Sequence, residues 1–478
     1  MILKRFYDEP LAQASFLIGC QATGEAIVVD PNRDVGQYIA AAEADGLAIV
    51  AITETHIHAD FVSGTRELAE RTGAKMYLSD AGPPEWQYAF KGDPRFVPIV
   101  GGGKIRVGNV IIEAVHTPGH TPEHLSFFVT DGAASTEPMG ILTGDFVFVG
   151  DVGRPDLLEK AAHVTGAADA SARVLFRSLE WFKGLPDHLQ VWPGHGAGSA
   201  CGKGIGAVPQ STVGYERRTN WGLAIDEEEA FVAQVLLGQP EPPRYFGVMK
   251  RINRDGPPLL GRIPTPERIS ERRLAALLAE GAILVDTRAT AAYATGFIPG
   301  MVNLPLGRSF ATYAGSLLPY DQDLYLLVDG GAAAVDQAVR ILVSIGLDRV
   351  AGYLGPEVID IWRTAGHQVD SVEQVSVDDL AAGQKGRLVV DVRGEAEWQA
   401  GHLKDSILVP LSELPDRLAD IPAEHQLVVL CQTGSRSAVA ASYLRFRGRA
   451  RASNLAGGIV GWITAGLPVE RQGPRPPI

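Results

Sequence analysis

The sequence predicts an α/β protein of about three domains, and three observations carry that expectation. The chain has 478 residues, at roughly 100–200 per domain. Its first half alternates short apolar runs with loops and helix-like stretches. Its second half contains one pattern twice. A hydrophobic fraction of 46% and a charged fraction of 21% suit ordinary buried cores and exclude disordered or collagen-like chains.

In chain order, AIVVDP at 26–31, LAIVAIT at 47–53, VIIEAV at 110–115 and ILTGDF at 141–146 each read as a buried strand. SGTRELAERTG at 63–73 reads as a helix. The Pro-rich stretches GQPEPPRYFG near 238–247 and GPPLLGRIPTP from 256 mark a linker, with a boundary near 255–265. A first domain therefore covers 1–255. ILVDTRATAAYATGFIPGMVNLPL from Ile283 then matches LVVDVRGEAEWQAGHLKDSILVPL from Leu388, with Asp286 and Asp391 in the same place. Each copy is a domain-sized strand–helix–strand unit, which makes tandem domains at 265–370 and 371–478 rather than a solenoid.

A net charge of −13 repels phosphate backbones, so nucleic acid is not an expected partner. The three cysteines, Cys20, Cys201 and Cys431, form no C-x-x-C pair, which points to a reducing compartment and a cytoplasmic protein. MILKRFYDEP lacks the apolar stretch of a signal peptide. No run of about 18 apolar residues predicts a membrane span.

Four segments end strands with metal-ligand residue types: T-H-I-H-A-D-F at 55–61, H-T-P-G-H at 116–120, T-G-D at 143–145 and P-G-H at 193–195. Loops at strand ends are where α/β scaffolds carry chemistry. One His-x-His alone is a weak signal, because surface and turn histidines are common. Four such segments in this order resemble the metallo-β-lactamase superfold over roughly residues 1–240, which implies an αββα sandwich. The full motif of that family is H-x-H-x-D-H and binds two metals. Here Phe61 stands in place of the last histidine, so the second metal loses a ligand and a glyoxalase II type of hydrolase is disfavoured.

His56, His120 and Asp145 remain as a 2-His-1-carboxylate set with open positions, the ligand type of non-haem Fe(II) oxygen chemistry. Zinc hydrolysis more naturally uses three histidines and a water. HTPGHTPEH and TGDFVFVGDVGRPDL resemble the persulfide dioxygenase branch. The resemblance implies one Fe(II) per chain on His56, His120 and Asp145, with zinc as a substitute in purified protein. His58, Asp60 and His195 would then orient ligands, bond substrate, be vestigial or hold a secondary metal. His116 and His124 read as loop or packing histidines, and His163 and His188 carry no motif. Asp151 and Asp156 read as turn-fixing. Lys203, Tyr215, Arg217 and Arg218 are either a solvated face or an entry loop for an anionic thiol carrier. Cys201 is either an inert small residue or a sulfur-relay thiol, and Cys20 reads as a core thiol.

C-Q-T-G-S-R-S at 431–437 follows the apolar run LVVL and precedes a helical pattern. Backbone N–H groups and a helix N-terminus would favour a Cys431 thiolate or persulfide. Arg436 adds a cation, and Gly434 lets the loop of Gln432, Thr433, Ser435 and Ser437 curl. The phosphatase loop C-x5-R is one residue longer. With D-V-R at 391–393, G-H at 401–402 and NLAGGIVGW at 454–462, the segment resembles the rhodanese family over about 370–478, which implies a parallel-sheet α/β domain. The first copy has Val328 where the second has Cys431, so it is expected to be catalytically dead.

Together the two resemblances imply oxidation of a low-molecular-weight thiol persulfide (glutathione, coenzyme A or bacillithiol type) by O2 to sulfite, with sulfane-sulfur transfer at Cys431 to or from thiosulfate. They also imply a homo-oligomer, dimer or tetramer. A metal-dependent thioester hydrolase with a rhodanese appendage is the alternative, and a non-catalytic sulfur-carrier scaffold is a third.

Overall fold

The computed structural model describes residues 1–160, 166–239, 241–383 and 386–471. His163 and the last seven residues of the expected third domain lie outside the described residues. The chain forms two compact units, Met1–Ile263 with Val343–Gly346, and the remainder. Among the described residues, no helix is long and apolar enough to cross a membrane.

Among the described residues, the first unit holds two six-stranded sheets. One runs in the order β1 (Ile2–Asp8), β2 (Gln13–Cys20), β3 (Glu25–Val29), β4 (Ala48–Thr53), β5 (Lys75–Ser79), β6 (Phe96–Ile99). The other contains β7 (Lys104–Val107), β8 (Val110–His116), β9 (Leu125–Asp131), β10 (Gly140–Gly144), β11 (Gln190–Pro193) and β12 (Ser211–Thr212), also in sequence order. Phe16, Ile18, Ile27 and Val29 from the first sheet pack against Ile112, Phe127, Leu142 and Trp192 from the second, which makes the inner core. The outer face of the first sheet buries Val28, Ile52 and Met76 against the helices Gly36–Ala44 and Thr65–Thr72. The outer face of the second buries Ile141 and Val191 against Leu175, Leu179 and Phe182 of the helix Ala167–Lys183. The layers are therefore αββα. Strands covered on both faces need unbroken apolar runs rather than alternation, and AIVV of β3 supplies one.

Among the described residues, the second unit holds two five-stranded parallel sheets. In the first copy the order is β13 (Glu267–Arg268), β17 (Val350–Leu354), β16 (Leu324–Leu327), β14 (Ile283–Asp286), β15 (Met301–Asn303). In the second it is β18 (Gln374–Val375), β22 (Ala452–Leu455), β21 (Gln426–Leu430), β19 (Arg387–Asp391), β20 (Ile407–Leu408). The two orders correspond strand for strand. The repeated aspartates also have one job each. Asp286 binds Arg288 and Asp391 binds Arg393, in both cases with the guanidinium at 2.6 Å and reaching the carbonyl of Gly296 or Gly401. The copies meet along one seam. The helix Ser435–Phe446 packs on β15, and Ser442 Oγ lies 3.0 Å from the Asn303 nitrogen and 3.2 Å from its carbonyl oxygen.

Candidate metal centre and cysteine loop

Four strand ends converge in the first unit. β4 leads into 54–60, β8 into 117–124, β10 into Asp145 and β11 into His195. Gly144 makes the turn into Asp145 possible. Its φ is +49°, and a Cβ there would stand 2.6 Å from Thr55 Cβ and 2.8 Å from His124 Nε2.

One ligand atom each from His56, His120 and Asp145 lies within 4.8 Å of the others, and all three residues are buried. The atoms can be named from their partners. His120 Nδ1 is 3.0 Å from the Arg154 carbonyl, which only accepts, so Nδ1 carries the proton and Nε2 has the free lone pair. His56 Nδ1 is 2.9 Å from Thr55 Oγ1, which itself donates to Asp30 Oδ2 at 3.0 Å. That relay also leaves His56 Nε2 free. Both Nε2 atoms face Asp145 Oδ2, at 3.8 Å from His56 and 3.5 Å from His120. This oxygen is buried with no hydrogen-bond partner. A buried unpaired carboxylate oxygen is costly unless something positive meets it, so the donor set fits a metal ion.

Electrostatics agree. Burial, aided by His58, pushes His56 well below its ordinary value, and burial also lowers His120, so both are neutral ligands. Burial alone would raise the Asp145 carboxyl; the facing His195 outweighs it and holds Asp145 well below the carboxylate range. His195 is bonded at both nitrogens, Nδ1 to Asp145 Oδ1 at 2.6 Å and Nε2 to Asp60 Oδ2 at 2.7 Å. Its burial opposes charge, yet the two carboxylates drive its pKa well up. It is an imidazolium bridge between them.

His58 does not join the three ligands. Its Nε2 bonds Asp30 Oδ1 at 3.1 Å, and Asp30 overcomes the effect of burial to raise the imidazole to about 9. Phe61 is fully buried, with its ring 4.4 Å from that of His58. Cys201 comes close to Asp60 and His195, and these form a second group of ligand atoms within 4.8 Å. Burial pushes the Cys201 thiol far up, with Asp145 and Asp60 adding to it.

The four residues considered for substrate do not converge. Lys203 donates to the carbonyls of Gln234 at 2.6 Å and Leu237 at 3.2 Å, closing the end of the helix Glu228–Leu236, and its ammonium stands over Trp221. Arg217 is held by Asp187 and the Lys183 carbonyl. Tyr215 and Arg218 are exposed. Cys20 lies among the inner-core side chains and accepts the Asn109 N–H at 3.3 Å.

Sequence reasoning passed over several partners of the site. His116 is exposed at the end of β8 rather than in a loop, but His124 is buried and its Nε2 accepts the Asp145 N–H at 3.2 Å, so this packing histidine also orients a ligand. Its spacing from His120 was the available signal. Asp30 and Thr55 could have been found as polar residues ending buried strands. Arg154, fully buried and gripped by Asp156 at 2.7 Å, positions the carbonyl that fixes His120. Asp151 accepts Gly204 N–H and Trp221 Nε1–H, tying the loops together.

In the second unit, β21 delivers Cys431 into a loop that ends at the helix Ser435–Phe446. Gly434 takes φ +102°, which an L side chain rarely adopts, and its N–H donates to Cys431 Sγ at 3.1 Å. Ser437 Oγ lies 3.3 Å from the sulfur and 2.6 Å from Asn454 Oδ1. Arg436 does not point freely into the loop. Both ends of its fork bind Glu397, at 2.8 and 2.6 Å. At the matching place in the first copy, buried Val328 precedes Asp329 and two glycines.

Comparisons with known proteins cover the two stretches of chain that carry these residues. Residues 8–195 match the metallo-beta-lactamase superfamily, and residues 376–465 match the rhodanese-like domain. A metallo-beta-lactamase structure from Staphylococcus aureus is similar over 74% of this chain and 99% of its own, at 43% identity and a TM-score of 0.68. A sulfurtransferase of Allochromatium vinosum is 35% identical over 21% of this chain and 94% of its own length. A hydroxyacylglutathione hydrolase of Rhodospirillum rubrum is 28% identical over 38% of this chain, which spans only 60% of that protein.

Proposed function

The chain belongs to the metallo-beta-lactamase superfamily and carries a rhodanese-like domain, and from that premise we propose that it is a persulfide dioxygenase joined to a sulfurtransferase. The observation that carries the reading is the convergence of His56 Nε2, His120 Nε2 and the partnerless Asp145 Oδ2. Two imidazoles and one carboxylate suit a single ferrous ion with open positions. An Fe(II) bound there would supply the centre at which a low-molecular-weight thiol persulfide and O2 react to give sulfite. The chain's own residues set the conditions. Thr55 and the Arg154 carbonyl fix the two imidazoles in the ligating tautomer. His195 balances the charge of Asp145 and Asp60. Phe61, Phe146 and Phe148, all fully buried, keep the surroundings dry.

At Cys431 the thiolate attacks the outer sulfur of thiosulfate. The S–S bond of thiosulfate breaks, sulfite leaves, and a Cys431 persulfide forms. The reverse reaction joins sulfite to that persulfide and regenerates the thiolate. The first copy is a degenerate rhodanese without chemistry. Glutathione, coenzyme A or bacillithiol persulfide, O2, sulfite and thiosulfate are the partners of this reading, in the cytoplasm and in a dimer or tetramer.

Protein purified anaerobically with Fe(II) should consume O2 on addition of glutathione or coenzyme A persulfide; absence of uptake sinks the assignment. A second reading, a thioester hydrolase, is favoured by the group Asp60, His195 and Cys201 and by the likeness to hydroxyacylglutathione hydrolases. Phe61 and the fully engaged His195 weigh against it. Two metals per chain together with hydroxyacylglutathione cleavage would establish it instead.

A further inference from the structure

We propose that Glu397 is a resident anion for the Cys431 loop: it occupies the Arg436 fork, so an anionic sulfur donor or acceptor must displace a carboxylate before it reaches that cation. This rests on Cys431 being the sulfur-carrying thiol. It makes Glu397 a specificity-determining residue, selecting anions that bind a guanidinium better than a carboxylate does.

The pair is bidentate, with N–O distances of 2.8 and 2.6 Å, so the planar fork is filled rather than grazed. Its side chains are 33% and 37% exposed, which leaves it open to exchange with a solute. Glu397 is also fixed from behind. It sits in the first turn of the helix Glu395–Ala400, and its Oε2 accepts the Gly394 N–H at 3.2 Å, closing that turn. A carboxylate anchored in this way needs little further ordering to hold the arginine. Burial opposes ionisation of Glu397, but the Arg436 hydrogen bond prevails and holds its carboxyl below the ordinary range, so the resident anion is charged at neutral pH.

A guanidinium already matched by a carboxylate projects little net field onto the cysteine five positions before it. A monoanion gains nothing by exchange. A dianion with several oxygens, such as sulfite or thiosulfate, can fill the same fork and carry additional charge.

The test compares alkylation of Cys431 by iodoacetate, an anion, and by iodoacetamide, its neutral analogue, followed by peptide mass spectrometry on the full chain. The ratio of the two rates cancels differences in access and in thiol ionisation. Glu397→Gln is the informative variant, because its amide oxygen can still accept the Gly394 N–H. At low ionic strength the ratio should rise about three- to tenfold, and the rise should shrink with added salt. Adding Arg436→Gln should abolish the rise, and the KM for thiosulfate should fall in Glu397→Gln with kcat little changed. An unchanged ratio, or a rise that persists without Arg436, overturns the inference. Should Glu397→Gln fail to fold, Glu397→Asp, which shortens the carboxylate's reach, should give an intermediate rise, and no change overturns the inference equally. If Cys431 resists both reagents in every background, the sulfur-carrier reading falls first and the inference with it.

Discussion

Phe61→His puts an imidazole where a fully buried phenyl ring now stands beside Asp60, and so asks directly whether one side chain limits the centre to one metal. In the metal-free protein the exchange is costly. Losing the burial of the phenyl ring gives up about 2 kcal/mol, and an imidazole N–H without a partner costs about 1–3 kcal/mol more. The sum of about 3–5 kcal/mol lowers Tm of the first unit by on the order of 10 °C. Metal should return much of this. The new imidazole would join Asp60, whose Oδ1 is buried without a partner, and Cys201. A divalent ion at 100 times its Kd stabilises by about 2.7 kcal/mol. Elemental analysis should give one metal per chain for wild type and two for the variant, and thermal unfolding of the variant should become strongly metal-dependent. A variant that stays at one metal with metal-insensitive unfolding refutes the reasoning, as does a wild type that already holds two.

Thr55→Val removes the acceptor for His56 Nδ1–H; metal affinity, measured by competition with a chelator, should drop about 10–100-fold, and an unchanged affinity would show the relay to be idle. Cys431→Ser should reduce sulfur transfer from thiosulfate to cyanide to background while persulfide-dependent O2 uptake persists; retained transfer would disprove the assignment of that thiol. Burial raises the Glu123 carboxyl from 4.5 to about 7, so between those pH values the folded chain keeps a proton that the unfolded chain has released. The stability from this group is full below pH 4.5 and is lost as pH rises through 7, up to about 3 kcal/mol. Urea unfolding of Glu123→Gln should show a flatter slope than wild type from pH 5 to 7, and parallel slopes would contradict this account.

The parts of the molecule legible in sequence are those set by local rules. Runs such as AIVVD and LVVL announce strands covered on both faces, and the repeat at Asp286 and Asp391 announces two sheets of one strand order. β1 escaped because every residue of Ile2–Asp8 is half-buried, so it shows neither a run nor an alternation. The convergence of His56, His120 and Asp145 follows from their places at strand ends. What separates His56 from His58 does not. Asp30, 28 positions from His58, claims that ring, and nothing in H-x-H records it. Charged groups were the least legible. Lys203 closes a helix 31 residues away, and Arg436 meets a carboxylate 39 residues away. A long flexible side chain reaches whatever the fold brings near, and local sequence does not say what that is.

The seam at Asn303 and Ser442 changes how deletions of this protein should be interpreted. Under the proposed function, removing the first copy strips away no chemistry, because Val328 stands where the second copy has its thiol. It does take away the surface on which the helix Ser435–Phe446 rests, and that helix begins at the cysteine loop. A shortened protein that cannot transfer sulfur would therefore report on support rather than on reactivity. Under the same reading, selection on the first copy would fall on its shape near Asn303 and leave the sequence around Asp329 comparatively free to drift.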